Sequence, residues 1–132
     1  MNHIKAKVSD IQSIDNITIV SFLAQDTKLQ MMSLSLNTNI KINSHVLLGV
    51  KASSVALAKD LTSLLSISNQ IKCKIKSINN GKLISSIKLE LSDDTIESLI
   101  TKDSSRSMNL QVGDNVVALV KSSELSILKV LD

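Results

Sequence analysis

Two short segments combine a lysine with small residues, most of which carry hydroxyls: Lys51-Ala52-Ser53-Ser54 and Lys121-Ser122-Ser123. Each follows an apolar run that is typical of a buried strand, so these residues stand where a strand meets a loop. The lysine ammonium supplies positive charge, while hydroxyls and backbone N–H groups of small residues can approach the oxygens of a tetrahedral anion closely. The pattern therefore predicts oxyanion binding, which needs neither a nucleophile nor a base.

The two segments belong to a duplicated sequence. The first strand, Asn2-His3-Ile4-Lys5-Ala6-Lys7-Val8, is matched by Asn69-Gln70-Ile71-Lys72-Cys73-Lys74-Ile75, and the two lysine segments follow in the same order. The second copy carries a three-residue insertion, which we place near 103–107. The repeats then cover residues 1–62 and 66–132, and a duplicated unit predicts duplicated chemistry.

The elements that must position these segments are short strands. Apolar and polar residues alternate at the start of both repeats, and Asn79-Asn80-Gly81-Lys82 predicts the turn of a hairpin. Five short strands per repeat predict an all-β protein made of two tandem small OB-like β-barrel modules. We further expect a bulge at Ile19-Val20, third strands near 28–36 and 95–101, and a helical linker over 60–67.

Composition excludes several classes of function. The single aromatic residue, Phe22, leaves no stacking platform for nucleic-acid bases, and the net charge of +3 is a mild attraction for anions. Two histidines and one cysteine cannot form a cysteine-based zinc site or a three-histidine metal site. Without a signal peptide or an apolar membrane span in the sequence, we expect a cytoplasmic protein that has no nucleic-acid or membrane partner.

The residues also resemble a known family. Ser66-Ile67-Ser68-Asn69, Thr101-Lys102-Asp103-Ser104 and Val120-Lys121-Ser122-Ser123 of the second repeat, with Val50-Lys51-Ala52-Ser53-Ser54-Val55 of the first, resemble the molbindin module. That module is a small OB-like barrel that binds molybdate. The resemblance covers almost the whole chain, so the protein looks like a tandem molbindin.

The resemblance implies a set of oxyanion ligands. They come from the residues before the first strand of a repeat, from a threonine and a serine after its third strand, and from the lysine segment. In the second repeat these are Ser66, Ser68, Asn69, Thr101, Ser104, Lys121, Ser122 and Ser123, and in the first they are Ser35, Thr38, Lys51, Ala52 and Ser53. Two departures stand out: Ser68 replaces the family's arginine, and the first repeat lacks the opening serine and arginine altogether.

Our main functional hypothesis is a protein that binds molybdate or tungstate in molybdenum storage or homeostasis and is not an enzyme. The resemblance implies a homo-oligomer whose sites lie at module interfaces. The alternative is a protein-interaction module of a molybdate-responsive transport or regulatory system that binds no ligand. Equilibrium binding of oxyanions separates these two hypotheses.

Overall fold

The computed structural model describes residues 1–34, 39–61 and 63–132, which form two five-stranded antiparallel sheets. The first sheet has the strand order β10-β4-β1-β2-β3 and the second the order β5-β9-β6-β7-β8. The strands are β1 (Asn2–Ile14), β2 (Ile17–Ala24), β3 (Thr27–Ser33), β4 (His45–Val50), β5 (Ala56–Ala58), β6 (Asn69–Asn80), β7 (Ile84–Leu91), β8 (Asp94–Thr101), β9 (Asn115–Val120) and β10 (Ser126–Val130). Both sheets curl into the OB-like barrels that the strand pattern predicts, which confirms the fold class.

Alternation of apolar and polar residues explains the long first strand of each repeat. The even-numbered residues of β1 from Asn2 to Val8 are buried and the intervening ones are exposed, and the start of β6 repeats this pattern. Each strand bulges after its buried segment, between Val8 and Asp10 in β1 and at the equivalent place in β6. The bulge that the sequence predicted in β2 is wrong, because Thr18, Val20 and Phe22 keep an unbroken inward alternation.

The last strand of each repeat lies in the sheet of the other repeat. In the second sheet, β5 of the first repeat pairs with β9, placing Ala56 opposite Leu119 and Ala58 opposite Val117. In the first sheet, β10 of the second repeat pairs with β4, placing Ile127 opposite Leu48. Each barrel is thus completed by a strand from the other half of the chain, and the buried side chains of both repeats form one apolar cluster.

Two local predictions need correction. A short helix, α1 (Lys102–Ser107), occupies the place of the insertion, where the sequence predicted no helix. The linker contains bends and no helix over residue 61 and residues 63–68, because Leu64 and Leu65 point to solvent and have no apolar surface to cover. The strand β3 ends at Ser33, and its predicted end at Leu36 lies outside the described residues.

Two asparagine side chains fasten the sheets to each other. Asn2 at the start of β1 accepts the backbone N–H of Glu97 at 2.8 Å and donates to its carbonyl at 2.7 Å. Asn69 at the start of β6 makes the same pair of bonds to Gln30 of the first sheet. Each amide group satisfies backbone atoms at the free edge of a strand, so it substitutes for a neighbouring strand.

No helix in the described part of the chain has the length and apolar character needed to cross a membrane.

Candidate oxyanion site

Each predicted lysine segment folds as an extended lysine followed by one 3-10 turn. Lys51 precedes the turn Ala52–Ser54, and Lys121 precedes the turn Ser122–Glu124. In each case the lysine carbonyl accepts a bond at 2.9 Å from a backbone N–H three residues later. Both lysine side chains are exposed, and neither forms an ion pair with any residue that the structure describes. The two ammonium groups are therefore available to an anion.

The strand exchange carries each lysine segment onto the opposite sheet. The turn Ala52–Ser54 of the first repeat packs against β8, and the turn Ser122–Glu124 of the second packs against β3. The buried hydroxyl of Ser98 in β8 anchors the first of these segments by donating to the carbonyl of Val55 at 2.6 Å. The hydroxyl of Ser54 in turn donates to the carboxylate of Glu124 at 3.2 Å, which links the two turns.

The predicted threonine and serine lie where β8 ends and α1 begins. Thr101 is the N-cap of α1: its hydroxyl accepts the backbone N–H of Ser104 at 3.1 Å and donates to the Ser104 hydroxyl at 2.9 Å. Both side chains are exposed. These two hydroxyls therefore lie at the end of β8, the strand against which the turn Ala52–Ser54 of the first repeat packs.

The residues before β6 lie against the first sheet. Ser66 and Ser68 are exposed, and Ser68 lines a surface depression together with Lys28 and Gln30. Asn69 is fully buried, and its amide group bonds to the backbone of Gln30. These two bonds satisfy the buried amide without a bound anion. Its role as an oxyanion ligand stays a prediction.

Lys121 joins this second group of donors. Asn69 pairs with Val120 across β6 and β9, so Lys121 follows directly beside the start of β6. Ser123 lines a groove of about 780 Å³ together with Ser33 and Leu34 at the end of β3. Ser35 and Thr38, the predicted donors after β3, lie outside the described residues.

The structure therefore groups the predicted donors by sheet and not by repeat. One group, beside β8, contains Lys51, Ala52, Ser53, Thr101 and Ser104. The other, beside β3, contains Ser66, Ser68, Lys121, Ser122 and Ser123. The group beside β8 takes donors from both repeats, a mixture that a repeat-by-repeat assignment could not foresee. The donors named beside β3 all belong to the second repeat, although β3 itself belongs to the first.

Two further residues near the first group carry charge that the sequence analysis did not use. Lys59, just after β5, and Asp114, just before β9, form an ion pair of 3.1 Å next to the end of α1. The contact arises because β5 pairs with β9 and brings the residues that flank the two strands together, a pairing that the strand pattern does not predict. Among the described residues, no group of three or more His, Cys, Asp or Glu side chains could hold a metal ion.

The chain forms a duplicated, strand-exchanged pair of OB-like barrels with lysine and hydroxyl side chains at the strand ends. Residues 65–127 match the TOBE domain family. No curated protein sequence matches the chain.

Two solved structures resemble this one. The cytoplasmic molybdate-binding protein ModG, solved with molybdate bound, shares 24% identity over 96% of this chain and 94% of its own, with a TM-score of 0.90. A molybdate-binding protein from Sporomusa ovata shares 31% identity over 51% of this chain and 100% of its own, with a TM-score of 0.50. The chain belongs to the molbindin family of TOBE-type modules, as its residues predicted.

Proposed function

We propose that the protein binds molybdate or tungstate and serves in molybdenum storage or homeostasis in the cytoplasm, without catalysing a reaction. The observation that carries the proposal is the placement of a lysine segment with small hydroxyl residues against a strand of the opposite sheet, once on each sheet. Neither lysine forms an ion pair with a residue that the structure describes. Both similar structures are of molybdate-binding proteins, one of them described as cytoplasmic, which supports the ligand and the compartment.

The donors suit a dianion with four oxygens. An ammonium group and several neutral O–H and N–H donors can each bond a different oxygen, and charge-assisted bonds of this kind are the stronger ones. The lysine segments are accessible to solvent, so the ligand can enter without opening a core. The function needs no nucleic-acid or membrane partner.

A homo-oligomer is part of the proposal. Large apolar side chains are exposed close to where β2 and β7 begin and just beyond β3, among them Ile17, Leu34, Leu83 and Ile84. Contact between copies of the chain would cover them and bring donors of one copy near those of another. Light scattering coupled to gel filtration, with and without molybdate, tests this. A monomer at every concentration would count against it.

Isothermal titration calorimetry tests the proposed ligand. The purified protein is titrated with molybdate, tungstate, sulfate and phosphate in the same buffer. We expect saturable binding of molybdate and tungstate and much weaker binding of the two lighter anions. If folded protein releases no heat with either heavy oxyanion, the binding function is wrong, and a role as an interaction module without ligand takes its place.

A further inference from the structure

The side chain of Lys59 reaches from the exchanged strand of the first repeat to the end of helix α1. Its Nζ donates to the carbonyls of Met108 and Asn109 at 3.3 and 3.0 Å and lies 3.1 Å from Oδ2 of Asp114. Those carbonyls belong to the C-terminal end of the helix, where backbone acceptors lack partners inside the helix. Lys59 thus ties α1 to a strand that comes from the other half of the chain.

Asp114 keeps this contact charged at neutral pH. Its carboxylate accepts the backbone N–H of Gln111 at 2.9 Å as well as the Lys59 ammonium. The bond from Gln111, followed by that from Lys59, holds the pKa of Asp114 below its ordinary value of 3.8. Both side chains are about one quarter exposed, with 29% for Lys59 and 25% for Asp114, so the contact is partly sheltered from water.

The same two segments carry the predicted oxyanion donors at their other ends. The exchanged segment begins at Lys51, runs through the turn Ala52–Ser54 and ends at Lys59. Helix α1 begins at its N-cap Thr101 and ends beside Met108. Contact with Lys59 at the far end of the helix therefore joins the segment that begins at Thr101 to the segment that begins at Lys51, although Lys59 itself is not one of the predicted donors.

The exchanged strand of the first sheet is tied differently. Asp132, just after β10, accepts the backbone N–H of His45 at 3.1 and 3.2 Å, and its Oδ1 lies 3.0 Å from the His45 Nδ1. By sequence Lys129 corresponds to Lys59, but β10 bulges at Leu128, so that Lys129 lies opposite Leu47 and Val130 opposite Val46. The bulge accommodates the Leu128 side chain over Gly49, where a Cβ would lie 2.6 Å from the Leu128 Cδ1.

The first repeat also has no carboxylate at the position that corresponds to Asp114. Ser44 stands in the place of Asp114, and its hydroxyl accepts the backbone N–H of Lys41 at 3.1 Å. It completes the same turn without a charge. Within the described ranges, Lys129 forms no ion pair. Among the described residues, the first sheet therefore has a different contact, between Asp132 and His45, in place of the contact of Lys59 with Asp114 and the end of α1.

We propose that Lys59 is a positioning residue for oxyanion binding by the donors beside β8, an inference that rests on the proposed function. By holding α1 against the exchanged segment, Lys59 fixes the Thr101 and Ser104 hydroxyls relative to Lys51 before the anion arrives. The entropy lost in ordering these side chains is then lost on folding and not on binding. Affinity for the anion is higher as a result.

Calorimetry with molybdate tests the proposal in a Lys121→Ala background, so that binding beside β8 is followed alone. Lys59→Met is compared with Lys129→Met, which removes the same side chain and the same charge from a lysine that has no ion-pair partner in the described residues. We expect Lys59→Met to bind about threefold to tenfold more weakly, the cost of ordering one or two side chains. Lys129→Met should bind like its parent.

Two further measurements separate positioning from a general effect of charge. Lys59→Arg should recover most of the affinity, because a guanidinium can donate to the same carbonyls and carboxylate. Amide hydrogen exchange over residues 102–108 without anion should quicken in Lys59→Met and stay unchanged in Lys129→Met.

The outcomes separate this proposal from the function on which it rests. If wild-type protein binds no molybdate, the proposed function is wrong and the positioning role falls with it. If wild type binds and folded Lys59→Met binds as tightly as Lys129→Met, only the positioning role is wrong. Faster hydrogen exchange in α1 of Lys59→Met would then show that the Lys59 contact stabilises the helix without affecting binding. Asp114→Asn, which weakens the contact without replacing Lys59, is used in place of Lys59→Met if that variant does not fold. Unchanged affinity in Asp114→Asn would equally overturn the proposal.

Discussion

The side chain of Asn69 pairs with the backbone of Gln30 through two hydrogen bonds, accepting from its N–H at 2.7 Å and donating to its carbonyl at 2.9 Å. Asn69 is fully buried and belongs to the second repeat, whereas Gln30 lies in β3 of the first. Asn2 and Glu97 form the matching pair in the other direction. The asparagine that opens both copies of the repeat is therefore a connection between the sheets.

Replacing Asn69 with aspartate should destabilise the protein strongly. A carboxylate can accept from the Gln30 N–H but cannot donate to its carbonyl, and it places a buried charge beside that oxygen. We expect the free energy of unfolding to fall by about 3 kcal/mol, the upper range for a buried acceptor left without its donor. Urea denaturation measures it. Asn79→Asp, at an exposed position of the same strand, is the matched control, and equal losses in the two variants would show that the pairing contributes nothing.

Removal of the Lys121 ammonium should weaken molybdate binding. A hydrogen bond to a charged group contributes about 1.5 to 3 kcal/mol, so Lys121→Ala should raise the dissociation constant by roughly tenfold or more at the affected site. Calorimetry gives the value, and Lys76→Ala, at an exposed position of β6 away from the groove, provides a control of equal net charge. Affinity that stays the same in Lys121→Ala would remove this residue from the site, and Lys51→Ala tests the other donor group in the same way.

The grouping of donors by sheet predicts which substitutions interact. Ser104 follows β8, the strand against which the lysine segment of the first repeat packs, so Lys51→Ala and Ser104→Ala should be non-additive in their effects on binding. Lys121→Ala and Ser104→Ala affect different groups and should add within about 0.5 kcal/mol. Two double-mutant cycles measured with molybdate check this. The reverse pattern, coupling of Ser104 with Lys121, would restore an assignment by repeat.

The buried thiol of Cys73 should make stability depend on pH in the alkaline range. Burial raises the pKa of Cys73 from 9.0 to about 11. Because the folded protein holds this proton longer than the unfolded chain does, the contribution is complete below pH 9.0 and is lost as the pH rises through about 11.

Comparison with Cys73→Ala isolates this contribution. Wild type should lose about 2 to 3 kcal/mol more than Cys73→Ala between roughly pH 8 and pH 11, at about 1.4 kcal/mol for each unit of pKa shift. Urea denaturation at both pH values measures the difference, and deprotonation of the lysines affects both proteins alike. Parallel losses would mean that the thiol ionises as readily in the folded state as in the unfolded chain.

Much of the fold follows from local alternation. The strands β1 and β6 bury every second side chain, and this pattern, with the turn residues between strands, predicts the order of elements in each repeat. The partner of the last strand does not follow from it. Residues 56–58 can face apolar neighbours equally well on either sheet, because the two copies present similar side chains to them.

The candidate site is likewise predictable from the sequence only in part. Lys51 and Lys121 lie at strand ends followed by tight turns, as their sequence context predicts, and Thr101 and Ser104 follow a third strand. Which donors meet depends on the exchange, and so does the contact of Lys59 with Met108. Contacts of that kind join residues far apart in the sequence, where no periodicity relates them.

The crossed strands also make each half of the molecule dependent on the other. A protease that cut the linker within residues 63–68 would leave two fragments still interlocked, because each would supply a wall of its companion's barrel. Either fragment made alone would lack one strand of its sheet. The edge where that strand normally pairs would be exposed and could pair with another chain. The peptide linker therefore acts chiefly by raising the local concentration of one half around the other, and the exchanged strands keep the two halves associated.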